Sequence, residues 1–98
     1  MGYSNSQILT PRKDIECQVH FNSCLNPIEG LILLFCIDSK CMSGTLLSVI
    51  SLSNSNFHLE VQFIEPVYFK GRITEDSDIE IREASKVIAK GKVTKSFI

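Results

Sequence analysis

Four cysteines are the residues of this chain with the clearest capacity for chemistry. An even number of cysteines can form disulfides, and thiolates are also common zinc ligands. Zinc sites usually need closely spaced pairs, whereas the nearest pair here has four residues between its members. The amino terminus carries no secretory signal pattern, so we expect reduced thiols, with Cys17 and Cys36 acting as small core residues. The four positions are Cys17, Cys24, Cys36 and Cys41.

Charged side chains near the end of the chain form a second candidate site. The acidic members lack the Asp-x-Asp-x-Asp-Gly order of a calcium loop, and neighbouring lysines would neutralise them across adjacent strands. The lysines alternate with small apolar residues, which favours a solvated strand face over a patch for RNA or an acidic partner. The acidic residues are Glu75, Asp76, Asp78, Glu80 and Glu83, and the candidate patch is Lys86, Lys90, Lys92 and Lys95.

The remaining titratable residues suggest no catalytic constellation. His20 and His58 fall on polar faces of strand patterns, where solvated histidines are expected. The chain has no Gly-x-x-x-x-Gly-Lys-Ser/Thr loop to hold a nucleotide phosphate. We therefore expect no enzyme activity, cofactor, metal or bound nucleotide.

The elements that position these residues belong to a single small domain. The chain has 98 residues, of which 44% are hydrophobic and 21% charged, and its formal net charge is -1. A nearly neutral chain has no overall field that would hold it on nucleic acid or an anionic membrane. No apolar run reaches the roughly 18 residues of a spanning helix. We expect a soluble cytoplasmic protein without membrane contact.

Alternation of apolar and polar residues predicts an all-β structure, because helical periodicity is absent throughout. We expect a flexible arm over residues 1–13 and one β domain over residues 14–98. Six strands joined by turns imply a barrel or a sandwich. The predicted strands cover 15–21, 31–37, 45–52, 57–63, 79–83 and 86–97.

The second of these strands is apolar at every position from Leu31 to Ile37, so both of its faces should be covered. The outer cover would be a partner protein or a second copy. The predicted protein interface consists of Ile32, Leu34, Cys36 and Tyr68.

Two registers are open for the last hairpin. A two-residue turn would place Ile81 opposite Ile88, and Ile79 opposite Lys90. A three-residue turn would pair Ile81 with Val87 and Ile79 with Ala89. A shift of one residue exchanges the two faces of a strand, and the alternation favours neither register.

The order of these segments resembles the C-terminal β-barrel of elongation factor Tu-like translation GTPases. The segment DIEIREASKVIAKGKVTK, residues 78–95, is similar to the family's RFAIREGGRTVGAGVVTK. The segments IEPVYF, residues 64–69, and GLILLFCIDSKCMSGTL, residues 30–46, resemble two further family blocks in the same order. The matching residues of the last hairpin are Ile81, Arg82, Glu83, Gly91, Val93, Thr94 and Lys95.

The resemblance implies a six-stranded antiparallel Greek-key barrel that works by binding. Ala84 and Ser85 replace the family's Gly-Gly turn, which predicts a reshaped turn. Many members of the family carry cationic side chains at the positions of Glu65, Ile32 and Asp38. The loss of these cations weakens contacts with nucleic-acid phosphates. We therefore predict a noncatalytic module for protein-protein interaction, with self-association or another protein as partner. The alternative is an RNA- or tRNA-binding accessory protein of translation.

Overall fold

The computed structural model describes residues 12–98, which form a closed barrel of six antiparallel strands. A short 3-10 helix, Pro66–Phe69, lies between the fourth and fifth strands. The predicted all-β class and the six-stranded antiparallel barrel are confirmed. No helix within residues 12–98 is long and apolar enough to cross a membrane. The strands are β1 (Ile15–Phe21), β2 (Ile32–Ile37), β3 (Lys40–Ser53), β4 (Asn56–Phe63), β5 (Asp78–Glu83) and β6 (Lys86–Ser96).

The strand order around the barrel is β1-β4-β3-β2-β5-β6, and β6 closes the ring by pairing with β1. The strands β2, β3 and β4 follow one another directly, while β5 returns to lie beside β2, which is a Greek-key connection. Strands β1 and β2 lie on opposite sides of the ring, as do β4 and β5, so both long connections must cross from one side to the other. The β4–β5 connection contributes buried Phe69 and Ile73 to the core.

Inward-facing residues of all six strands fill the barrel with apolar side chains. Alternation along β1 places Ile15, Cys17, Val19 and Phe21 in this core, as the sequence pattern predicts. Phe63 packs edge-on against Phe35 and Phe69, with ring centroids 5.8 and 5.0 Å apart. The burial of these rings holds the β4–β5 connection against the barrel.

The hairpin of β5 and β6 adopts neither of the two registers left open by the sequence. Glu83 pairs with Lys86 across a two-residue turn, but Ile81 pairs with Ala89 and Ile79 with Gly91. One additional β6 residue is accommodated as a bulge between these pairs, so Ile88 and Ala89 are both buried. Ala84 in the turn has a positive φ of 56°, a conformation that is unfavourable for a residue with a Cβ.

The hairpin of β2 and β3 corrects the expectation of reduced thiols. The turn is only Asp38–Ser39, so β3 begins at Lys40 rather than near Thr45. Cys36 and Cys41 then face each other directly in the ladder, with Cα atoms 4.0 Å apart, and form a disulfide. Cys17 and Cys24 are free cysteines.

Arg12, the first described residue, already contacts the domain, two residues before the predicted boundary. Arg12 donates two hydrogen bonds to the carboxylate of fully buried Asp14, at 2.7 and 3.1 Å, and a third to the Phe63 carbonyl. Asp14 Oδ2 also accepts the Phe63 N–H at 2.8 Å. Lys13 bonds Glu16 and Glu60. The rest of the predicted arm, residues 1–11, lies outside the described residues.

Candidate functional site

A shallow pocket opens on the outer face of β2, β3 and β4. We call it the Ile32–Ile64 pocket, after the two exposed aliphatic side chains on its walls, and its volume is about 340 Å³. Ile32 is 64% exposed and Ile64 is 74% exposed. Its full lining is Arg12, Ile32, Ser43, Thr45, Gln62, Phe63 and Ile64.

The register of three strands creates this pocket. Ile32 pairs with Thr45, and Thr45 pairs with Gln62, which gives one outward-facing row. The adjacent row contains Leu34, Ser43 and Ile64, because Leu34 pairs with Ser43 and the Ile64 N–H donates to the Ser43 carbonyl at 3.1 Å. The small hydroxyl side chains of β3 therefore lie in the centre, with Ile32 and Leu34 of β2 on one side and Gln62 and Ile64 on the other.

The floor of the pocket offers polar groups for a partner. Within residues 12–98, no intramolecular hydrogen bond engages the hydroxyl of Ser43, the hydroxyl of Thr45 or the amide of Gln62. Exposed aliphatic walls around such groups can take an apolar side chain and a hydrogen-bonding group together. This combination is the usual chemistry of a specific protein contact.

The four predicted interface residues have different environments. Ile32 lines the pocket, and Leu34 lies in its second row, half-buried. Cys36 is buried and disulfide-bonded, so this part of the interface prediction needs correction. Tyr68 is exposed on the 3-10 helix, where its ring lies 5.7 Å from that of Phe69, and it does not line the pocket.

The sequence pattern did not predict Ile64, which is the most exposed of the residues that line the pocket. The available signal was local, because Phe63 ends the inward series of β4 and the next residue must point outward. Its proximity to Ile32 could not be read from local alternation, since it depends on the pairing of three strands.

The predicted lysine patch is exposed at all four positions, Lys86, Lys90, Lys92 and Lys95. Lys92 Nζ donates to Asp78 Oδ1 at 2.8 Å, and this hydrogen bond lowers the pKa of Asp78. Glu80 lies opposite Lys90 but bonds Arg82 at 2.8 Å. The predicted neutralisation by β5 acids is therefore observed at Lys92.

Two of these lysines line a groove of about 620 Å³ across β6, β1 and the tip of the β3–β4 hairpin. Lys90 and Lys92 lie on one side, with Gln18, His20 and Asn56 nearby. His20 Nδ1 is 3.0 Å from Asn56 Oδ1, so both groups are partly engaged with each other. Asp76 also lines the groove and reduces its positive charge.

A second polar cluster joins β1 to β4 on the barrel surface. Lys13 Nζ donates to Glu16 at 2.8 Å and to Glu60 at 3.2 Å, and His58 Nε2 lies 3.1 Å from Glu16 Oε1. The hydrogen bond from Lys13, reinforced by His58, lowers the pKa of Glu16. His58 is therefore explained as a hydrogen-bond partner of Glu16, a carboxylate with a structural role.

The free thiols have opposite environments. Burial raises the pKa of Cys17 to about 12, which suppresses its thiolate, whereas Cys24 is exposed in the β1–β2 connection. Within residues 12–98, no three His, Cys, Asp or Glu side chains are grouped so that they could hold a metal ion.

Comparison of the chain with models of known protein families and with curated proteins finds no match.

Proposed function

We propose that this chain is a noncatalytic protein-binding barrel of the type that forms the C-terminal domain of elongation factor Tu-like translation factors. The observation that carries the proposal is the Ile32–Ile64 pocket, in which two largely exposed aliphatic side chains flank polar groups that make no side-chain hydrogen bond within residues 12–98. Support for the barrel type comes from the sequence resemblance and from the six-stranded Greek-key order.

Recognition at this pocket uses side chains. Backbone pairing is blocked here because β3 has β2 on one side and β4 on the other along the pocket. An aliphatic or aromatic anchor of the partner would contact Ile32 and Ile64, and a neighbouring polar group would bond Ser43, Thr45 or Gln62. Burial of the two isoleucines supplies the apolar contribution to affinity.

A comparative pull-down tests this role. Ile32→Asp and Ile64→Asp place a charge on each wall, while Ile28→Asp is the matched control, since Ile28 is also 64% exposed and lies outside the pocket. We expect a defined protein to be captured by the wild type and by Ile28→Asp, and to be lost with both wall variants. Equal capture by all four proteins would contradict the proposal.

A second candidate function is binding of RNA at the groove that Lys90 and Lys92 line. The specific observation is that all four β6 lysines are exposed and that Lys90 and Lys92 line this groove together with His20 and Gln18. Retention on immobilised tRNA that falls steeply with added salt would support this function. A variant with Glu at all four lysine positions, Lys86, Lys90, Lys92 and Lys95, should then lose retention. No retention of the wild type at low salt would exclude RNA binding.

A further inference from the structure

The far half of β3 extends beyond its neighbour β2. The β2–β3 ladder ends at the pair Ile32–Thr45, and Leu46 makes the last backbone bonds on that side. Its N–H donates to the Leu31 carbonyl at 2.9 Å, and its carbonyl accepts the Gly30 N–H at 2.8 Å. Residues 47–53, which we call the β3 edge, pair only with β4 in the part of the chain that the structure describes.

The ladder pattern shows which backbone groups face outward along this edge. Leu46 directs its N–H and carbonyl away from β4, and a bulge follows between Leu46 and Ser48. In an antiparallel ladder the direction alternates, so Ser48 and Ile50 bond β4 while Val49 and Ser51 direct their backbone groups to the open side. The edge therefore presents donors and acceptors to another strand.

The β3 edge also lacks the charged side chains and prolines that commonly oppose pairing. Edge strands of soluble proteins commonly carry lysine, other charges or proline. The sequence from Cys41 to Leu59 contains no Lys, Arg, Asp, Glu or Pro. Ile50 is 51% exposed and Leu52 is 49% exposed on the outer face of this segment. Two identical copies of this edge can approach without charge repulsion.

We propose that the β3 edge joins two copies of this chain as an antiparallel dimer, with Ile50 on the two-fold axis. In this register Val49 pairs with the partner's Ser51, and Ser51 with the partner's Val49. Both pairs direct backbone groups toward the interface and exchange N–H···O bonds. Ile50 lies opposite the partner's Ile50, and the two exposed side chains cover each other. The result is a self-complementary interface that continues the sheet from one barrel to the next.

The dimer is independent of the Ile32–Ile64 pocket, because the two surfaces use different residues. Its first test is the molar mass by sedimentation or light scattering over a concentration series. We expect a dimer for the wild type, and monomers for Ile50→Lys, which adds an edge charge, and for Ser51→Pro, which removes an outward N–H and leaves the β4 bonds in place. Ile28→Lys adds the same charge to an exposed isoleucine that is not part of residues 47–53, so this control should remain dimeric.

A cross-link tests the register. In a Cys24→Ser background, Ile50→Cys should form an intermolecular disulfide rapidly on mild oxidation, because Cα atoms of such a non-hydrogen-bonded pair lie about 4.5 Å apart. Ile28→Cys in the same background should cross-link far more slowly. A wild type that stays monomeric at NMR concentrations, or equal cross-linking at positions 28 and 50, would overturn the proposal.

Hydrogen exchange of the Ser51 amide distinguishes the dimer from coverage of the β3 edge by another segment of the same chain. Protection that rises with protein concentration supports the dimer. Protection that persists at concentrations where the molar mass is that of a monomer means that another segment of the same chain covers the edge, and would overturn the proposal.

Discussion

At the scale of single residues, the two free cysteines differ in reactivity because their environments differ. Cys17 lies in the core with a pKa of about 12, whereas Cys24 is exposed. A thiol reagent applied at mildly alkaline pH should modify Cys24 quickly and Cys17 only after unfolding. Mass spectrometry of the labelled protein with and without denaturant checks this. Labelling of two thiols in the native protein at similar rates would show that Cys17 is accessible.

Asp14 is a buried carboxylate that fastens the start of β1 to the end of β4. It accepts bonds from Arg12 and from the Phe63 N–H, and its backbone carbonyl accepts the Phe97 N–H at 2.9 Å. Asp14→Ala leaves the buried Phe63 N–H without its acceptor, so we expect the free energy of unfolding to fall by about 2–4 kcal/mol.

Urea denaturation measures this loss, with Asp78→Ala as the matched control. Asp78 also pairs with a cation, but both partners are largely exposed, so the control should be nearly as stable as the wild type. Equal stability of the two variants would show that Asp14 has no special structural role.

The Glu16 cluster gives stability a defined pH dependence. The pKa of Glu16 is lowered in the folded chain, chiefly by Lys13, so its contribution is present at neutral pH and is lost as pH falls through the lowered pKa. Glu16→Gln should cost about 0.5–1 kcal/mol at neutral pH. The difference between variant and wild type should vanish well below pH 4.5, the ordinary pKa of a Glu carboxyl. A difference that persists in acid would point to lost packing.

At the scale of strands, Gly91 is the residue that permits close approach of β6 and β1. A Cβ at this position would collide with the Gln18 carbonyl oxygen and would lie 2.6 Å from Val19 Cα. These are backbone atoms, so the strands themselves must separate. Gly91→Ala should lower the free energy of unfolding by about 3 kcal/mol or prevent folding.

Gly44→Ala is the control for this prediction, since its Cβ would meet mainly the side chains of Val61 and Phe35, which can shift. Its cost should be smaller in the same thermal or chemical denaturation experiment. A Gly91→Ala variant as stable as the wild type would contradict the close approach of the two strands.

Alternation of residues predicts the strands well, and turn geometry explains what it misses. Asp38 and Ser39 both adopt positive φ, at 51° and 66°, although neither is the glycine that normally signals such a turn. The pairing of Cys36 with Cys41 follows from this turn and was therefore missed as well. The bulge that sets the β5–β6 register has no local signature, because it satisfies the burial of Ile79, Ile81 and Ala89 together.

At the scale of the whole molecule, the closed ring and the filled core leave the outer surface for function. The all-β class and the strand number could be predicted from the alternation of residues, and one pocket residue, Ile32, from the apolar run of residues 31–37. The pocket as a unit could not, since it joins residues from three strands through their register. The β3 edge likewise becomes visible only when the lengths of paired strands are compared.

Site-specific photocrosslinking tests the central claim most directly, which is that the Ile32–Ile64 pocket contacts a protein partner. A photoreactive phenylalanine derivative at position 32, in the Ile50→Lys background to remove the dimer interface, should give a discrete adduct with another protein. Excess unlabelled chain should abolish the adduct, while excess Ile64→Asp should not. The same probe at position 28 should give none. No adduct at position 32, or the same adduct at both positions, would contradict the account.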